Sequence, residues 1–313
     1  MKISFITTVF NEAKTIDRFL DSILSQTKPP DEIIITDGGS IDSTVTKVKD
    51  FRSKVREYKG KFIILVKKGN RAVGRNEAIK NATGDIIICT DAGNVLDKDW
   101  VKNITEPFKD VTVDVVAGYY KGLAKNVFQK CLIPYVLVMP DRVDPDHFLP
   151  ATRSVAFTKD IWKKIGGFNE KLSHNEDYAF AKRLEKENVK IIFRKDAVVY
   201  WIPRSSYKQA FIMFFRFAYG DAEAGIYRPK VVFLFFRYTV ALLLLLSAII
   251  MKSVLPLVCL SILIIGYLYW SIVKNYKYIK EWQAIYFLPS LQLIADSAVI
   301  KGTILGMLKI YPF

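Results

Sequence analysis

Two carboxylates stand where apolar runs end. Asp91 follows Ile86 to Cys89 in the stretch Gly84-Asp85-Ile86-Ile87-Ile88-Cys89-Thr90-Asp91-Ala92-Gly93-Asn94, and Asp37 follows Ile33 to Thr36. Continuous, partly β-branched runs of this length fit strands covered on both faces of a mostly parallel sheet. Ligands of open α/β sheets bind beyond the carboxyl ends of such strands, so both acids are expected to reach the ligand crevice and accept hydrogen bonds there. Gly38 and Gly39 follow Asp37, and without a Cβ their amides can approach a ligand closely. Read alone, the first stretch is better taken as a strand-to-helix turn with Asp97 capping the next helix. Two strands delivering carboxylates to one edge favour the functional reading.

The elements that position these acids alternate in type. Ile3 to Val9 reads as a first strand, and Asn11 can cap a helix in which Ile16, Phe19, Leu20, Ile23 and Leu24 share one face. Pro29-Pro30 stops it. After the second strand, Ser40 or Asp42 can cap a helix running to about Tyr58, then Phe62 to Val66 forms a third strand. The basic loop Lys67 to Arg71 leads to a short helix with Arg75 and Asn76. This βαβαβα order predicts right-handed crossovers. A helix is expected from Asp97 to about Lys109, a strand from Val113 to Gly118, and irregular chain to Pro150 that lines the acceptor side. Strands are expected at Thr152 to Phe157, Lys190 to Arg194 and Ala197 to Trp201, with a helix from Asp177.

A net charge of +15 over 313 residues calls for an anionic partner. Apolar runs in the C-terminal third, which a soluble nucleic-acid binder would not need, point to an anionic membrane and a phosphate-rich substrate, with no nucleic acid. Cys89, Cys131 and Cys259 are too scattered for a zinc site or a disulfide framework. The N-terminus enters a strand pattern with no visible apolar leader, so the first domain is expected in the cytoplasm. Ser205 to Gly220 fits an amphipathic helix at the membrane interface or one packed in a core. In Val231 to Ile250, fourteen residues are Leu, Ile, Val or Phe. At ~0.3–0.6 kcal/mol each they outweigh one arginine at ~2.5–3.5 kcal/mol, so the segment inserts and Arg237 is expected to snorkel. Val254 to Ile272 follows after a three-residue link as the second arm of a hairpin. Ala284 to Leu308 fits a re-entrant, interfacial or third spanning segment alike. Lys274, Lys277 and Lys280 put their loop, and with it the catalytic domain, on the cytoplasmic side of a multi-pass cell-membrane protein. The expected divisions are 1–204, 205–230 and 231–313, and the membrane helices allow a homo-oligomer.

From Met1 to about Trp201 the chain resembles the family 2 glycosyltransferases, inverting enzymes with the nucleotide-sugar-binding GT-A fold. The resemblance rests on Thr8-Val9-Phe10-Asn11-Glu12, Asp37 to Thr44, Arg75-Asn76, Gly84-Asp85, Asp91, Gly166-Gly167-Phe168 and Glu176-Asp177, in that order. It implies a membrane-anchored hexosyltransferase using a UDP- or GDP-sugar. The donor would be held by Thr8, Val9, Asn11, Glu12, Asp37, Gly38, Gly39, Arg71, Arg75 and Asp91. Asp177, beside Glu176, would be the general base, a role worth about a hundred- to ten-thousandfold. In isolation Glu176-Asp177 also fits a helix N-cap.

The chain departs from the family at Gly93, where a second acidic residue usually binds a divalent metal. Mg or Mn would then rest on Asp91 and the diphosphate, or Arg71, Arg75 or Lys68 would stabilise the leaving group as fixed cations. His147 and His174 are further candidates for metal or phosphate. Trp201 and Arg204, with Tyr207, form a rim suited to an acceptor near the bilayer. A base implies a hydroxyl acceptor on a lipid-linked glycan, because a polyprenyl phosphate acceptor, the alternative, needs none. A nucleotide-sugar-binding protein without catalysis is the reading from another class, motivated by Gly93.

Overall fold

The computed structural model describes residues 1–54 and 58–312. They form two compact units, Met1–Leu123 with Val138–Ile202, and Ala124–Leu137 with Pro203–Phe313.

In chain order the first unit contains β1 (Ile3–Val9), α1 (Ile16–Leu24), β2 (Glu32–Asp37), α2 (Thr44–Lys54), β3 (Lys61–Val66), α3 (Arg71–Asn81), β4 (Ile86–Cys89), β5 (Val95–Leu96), α4 (Trp100–Thr105) and β6 (Val115–Gly122). After α5 (Val127–Val136), which belongs to the second unit, come β7 (Val155–Thr158), α6 (Lys159–Ile165), α7 (Glu176–Lys186) and β8 (Ile191–Trp201). The sheet order is β3-β2-β1-β4-β7-β6-β8-β5. Six strands run one way; β7 and β5 oppose their neighbours, so the sheet is mixed though mostly one-directional.

Period-two alternation fills both faces. Phe5, Ile33, Ile35 and Ile88 pack with Phe19 and Trp100, while Ile6, Ile34, Ile87 and Cys89 pack with Phe157, Phe168 and Phe180. Burial on both sides explains the continuous apolar runs Ile33 to Ile35 in β2 and Ile86 to Cys89 in β4.

Several local expectations shift. Thr15, not Asn11, precedes α1; Asn11 has φ +53° and accepts instead from the Ile41 N–H at 3.0 Å. Asp42 accepts from the Thr44 N–H at 3.0 Å where α2 begins, and the expected stretch of α2 at 55–57 lies outside the described residues. The helix foreseen from Asp97 begins at Trp100, after β5, and ends in a 3-10 turn at Glu106–Lys109. The two last strands are one, β8, with a register shift opposite Gly118 and Tyr119. Gly118 is required there because a Cβ would lie 2.0 Å from Ser154 Oγ.

The second unit is helical: α5, α8 (Tyr207–Glu223), α9 (Pro229–Ile250), α10 (Leu255–Tyr276) and α11 (Ala284–Met307). Asn126 caps α5, accepting from the Gln129 N–H at 2.9 Å, so a stretch expected to be irregular contains a helix despite Pro134. The apolar face of α8 is covered by α11. Cβ atoms on Gly302 and Gly306 would come within 2.5 and 2.6 Å of the Phe215 and Tyr219 carbonyls, so small residues one turn apart let the helices touch. Three helices, α9, α10 and α11, are long and apolar enough to cross a membrane, and α11 is continuous through Pro289. Arg237 does not snorkel. Its Nη2 donates to Asp296 Oδ2 at 2.8 Å and its guanidinium lies 3.9 Å over the Tyr267 ring. Tyr238, Tyr267 and Gln292 also donate to that carboxylate, so α11 supplies a satisfied counter-charge where the sequence showed only a lone arginine.

Candidate active site

The site is built at the carboxyl edge of β1, β2 and β4, where α3, α7 and the chain entering β7 converge. Because β7 runs antiparallel to β4, with Val155 opposite Cys89, residues 151–153 lie beside Thr90 and Asp91. Arg75 on α3 is the centre. It is buried, donates through Nη1 to Glu176 and through Nη2 to Asp91 Oδ1 at 2.7 Å, and its guanidinium lies 5.6 Å over the Phe168 ring. Asn76, the next residue, fixes the turn that carries Phe168: its side chain accepts from the Phe168 N–H at 2.9 Å and donates to the Phe168 carbonyl at 2.8 Å. Gly166 and Gly167, with φ of +81° and +68°, supply the left-handed backbone that this turn needs.

Thr152 joins two acids. Its hydroxyl lies 3.1 Å from Asp91 Oδ1 and 3.3 Å from Asp177 Oδ2. Asn175 precedes α7 in a left-handed conformation and makes no side-chain cap, so Glu176 and Asp177 sit in the first turn as acids rather than as N-caps. Burial raises the Asp177 carboxyl, Glu176 and Asp91 add to that, and Arg75 and Arg153 oppose it; the result is a carboxyl above its usual range. Burial also acts to raise Asp91, but Arg75, Arg71 and Arg153 outweigh it and hold that carboxyl below its usual range. Adjacent acids pushed in opposite directions are the arrangement that separates a base from an electrostatic anchor. Arg75 itself is held charged: burial acts against the charge and Glu176 and Asp91 overcome it. The Cys89 thiol is pushed up to about 12 by burial, consistent with an inert packing residue.

A second group lines the loops after β1 and β2. Asp37 Oδ1 accepts from the Gly39 and Ser40 N–H groups at 2.9 and 2.8 Å, and the Gly38 N–H donates to the Val9 carbonyl at 2.9 Å. The Asn11 N–H donates to Ser40 Oγ at 2.9 Å, and that of Glu12 to Thr44 Oγ1 at 2.8 Å. Thr8 lies under α3, where a Cβ on Gly74 would come within 2.7 Å of its methyl group. A Cβ on Gly93, φ +86°, would lie 3.7 Å from Glu12 Oε2, so Glu12 reaches the loop of Asp91. Arg71 is exposed at the first turn of α3. Asp37 is thus engaged by its own loop, while Asp91, Arg75, Glu176 and Asp177 form one network.

Trp201 belongs to this unit and receives the Arg153 guanidinium at 5.7 Å from its ring; Arg204 falls in the second unit. Thr152 and Arg153 were missed in the sequence, where nothing distinguishes them from other polar residues entering a strand. Their signal is the antiparallel pairing of β7 with β4.

For a divalent metal, the described residues include no group of three or more His, Cys, Asp or Glu placed to hold one. His147 Nδ1 lies 2.8 Å from Asp144 Oδ2, and His174 Nδ1 lies 3.0 Å from Ser173 Oγ. Asp91 keeps one oxygen, Oδ2, outside its bonds to Arg75 and Thr152. That donor set fits a metal carried by a diphosphate and held by one carboxylate, and does not fit a site made by protein alone.

Residues 4–137 match glycosyl transferase family 2. The poly-beta-1,6-N-acetyl-D-glucosamine synthase of Staphylococcus epidermidis is 36% identical over 34% of this chain and 25% of its own, so the matched segment spans about a quarter of that relative. In Methanococcus voltae, dolichyl N-acetyl-alpha-D-glucosaminyl phosphate 3-beta-D-2,3-diacetamido-2,3-dideoxy-beta-D-glucuronosyltransferase is 25% identical over 98% of this chain and 97% of its own. Among solved structures, a Pyrobaculum calidifontis mannosyltransferase in complex with GDP-Man and Mn2+ superposes with a TM-score of 0.73 at 18% identity, over 98% of this chain and 87% of its own. At that identity the likeness shows the fold.

The fold is of the GT-A type, and the segment 4–137 within it is similar to glycosyl transferase family 2. The segment that matches glycosyl transferase family 2 is followed by a C-terminal helical part long and apolar enough to cross a membrane.

Proposed function

We propose that the protein is a membrane-anchored inverting transferase that moves a sugar from a UDP- or GDP-sugar to a hydroxyl of a lipid-linked or membrane-associated glycan. The carrying observation is the pair Asp91 and Asp177, joined by Thr152 and shifted in opposite directions. Asp177 takes the proton of the acceptor hydroxyl as its oxygen forms the new bond to the anomeric carbon. The bond from that carbon to the diphosphate breaks on the opposite face, and the nucleoside diphosphate leaves. A carboxyl above its usual range is the stronger base for this step. Arg75 and Glu176 position the two acids. Thr8, Val9, Asn11, Glu12, Asp37, Gly38, Gly39 and Arg71 bind the donor, with Asp91 against its ribose and diphosphate. Mg or Mn, arriving with the donor, would be held by Asp91 Oδ2 and would neutralise charge on the leaving diphosphate.

The acceptor class is supported by the Methanococcus relative, whose name describes transfer to a sugar carried on dolichyl phosphate. The three long apolar helices support a multi-pass anchor in the cell membrane, and Lys274, Lys277 and Lys280 support a cytoplasmic catalytic unit. Trp201 and Arg204 are proposed to contact the acceptor. The test is release of nucleoside diphosphate from a panel of UDP- and GDP-sugars with membrane lipid extract, for wild type and Asp177→Asn, with and without EDTA. Turnover of one donor, with activity lost in the variant, is expected. Full activity in the variant would shift the acceptor to a polyprenyl phosphate, and nucleotide binding without turnover would leave a non-catalytic binding protein.

A further inference from the structure

Arg153 is the residue that the mechanism above leaves unused. Its backbone is pinned inside the site: Thr90 Oγ1 donates to its carbonyl at 2.7 Å, and the preceding Thr152 bonds both Asp91 and Asp177. Its guanidinium carbon lies 5.6 Å from the Tyr120 ring centre and 5.7 Å from that of Trp201, both rings being buried. Among the described residues it makes no ion pair, whereas Arg75 is consumed by Glu176 and Asp91. Aromatic faces hold a guanidinium in one orientation and strip water from it without occupying its N–H donors. Asp91 and Asp177 do not take those donors: Asp91 bonds Arg75 and Thr152, and Asp177 bonds Thr152 and the Tyr178 N–H.

We propose that Arg153 is a phosphate-binding residue, a guanidinium preset by Tyr120 and Trp201 beside the Asp91–Asp177 pair to grip a phosphate of the reactants. The proposal rests on the transferase reading and adds a contact that it does not contain. A planar fork suits two phosphate oxygens at once. Three guanidiniums, of Arg71, Arg75 and Arg153, face three carboxylates, of Asp91, Glu176 and Asp177, so no surplus negative field turns a phosphate away. Two sources share this chemistry, the diphosphate of the donor and the phosphate of a lipid carrier.

Equilibrium binding of UDP, GDP, farnesyl phosphate and farnesol to the full chain in detergent tests it, for wild type, Arg153→Gln and Arg153→Lys. Loss of one charge-assisted grip weakens binding about ten- to a hundredfold. Weaker nucleotide binding alone in Arg153→Gln assigns the seat to the donor; weaker farnesyl phosphate binding alone assigns it to the lipid carrier. Arg153→Lys, which keeps the charge but not the fork, is expected to recover part of the loss, and farnesol to show no change. Unchanged binding in Arg153→Gln overturns the proposal while leaving the transferase reading intact. Equal loss in both variants with a lowered melting temperature overturns it as a structural effect. Failure of wild type to bind either class of ligand overturns both readings.

Discussion

Replacing Arg75 by Met should destabilise the protein more than any substitution of an exposed charge in the site. The magnitude follows from where its partners lie. Glu176 is 4% exposed and Arg75 2%, so Arg75→Met strands a buried carboxylate, at a cost of about 3–5 kcal/mol. Asp91 is 36% exposed and can be rehydrated, so its lost pairing adds only about 0–1 kcal/mol. For a unit of 150–250 residues, at about 2–4 °C per kcal/mol, the apparent melting temperature should fall by roughly 6–24 °C. The double variant Arg75→Met/Glu176→Gln removes the stranded charge and should regain at least half of that loss. It should not regain activity, because Asp91 is no longer held. Thermal unfolding followed by tryptophan fluorescence, with all variants scanned at one rate, reads both effects. A fall below about 2 °C in the single variant, or no recovery in the double, would refute the argument that an uncompensated buried charge sets the cost.

The acids give a pH signature of opposite sign. Because the folded Asp177 carboxyl is raised, its stabilisation is complete below the unfolded pKa of about 3.9 and is lost as pH rises through the folded value. Asp177→Asn should therefore raise the melting temperature at neutral pH, lose that gain in acid, and reduce turnover by about a hundred- to ten-thousandfold. Asp91 is depressed, so its contribution is present above the unfolded pKa and lost as pH falls through the folded one; the acid limb of kcat/KM should follow Asp177, above the ordinary aspartate range. Thr152→Val should cut turnover about tenfold and move that limb further up, whereas Thr152→Ser should leave both near wild type. Asp296→Ala should strand Arg237 among apolar helices and lower the detergent-solubilised melting temperature more than Asp296→Asn, which loses the charge but keeps hydrogen bonds to Tyr238 and Tyr267; equal effects would show that the lost charge, and not those hydrogen bonds, sets the cost.

What was legible in the sequence and what was not divides along a physical line. Asp37 and Asp91 could be placed because their strands are buried on both faces and read as apolar runs that stop at an acid. Two of the three membrane-length helices were legible for the same reason, since hydropathy is a property of each segment by itself, while the third, interrupted by Pro289, Asp296 and Lys301, fits a span and an interfacial or re-entrant segment alike. Thr152 and Arg153 owe their importance to an antiparallel strand that enters beside β4 from 63 residues away, as the bond from Thr90 to Arg153 shows, and no local pattern encodes such a pairing. The same blindness made Arg237 look like a charge seeking the interface, when its partner Asp296 lies 59 residues on. Asn11 failed as a cap because a polar residue before an apolar helix is compatible with capping and with a left-handed turn that serves a neighbouring loop. Residues whose role depends on who faces them are therefore the ones that sequence reading loses. Arg153 was missed for this reason, and its guanidinium against the Tyr120 and Trp201 rings makes it the first residue in the site to test.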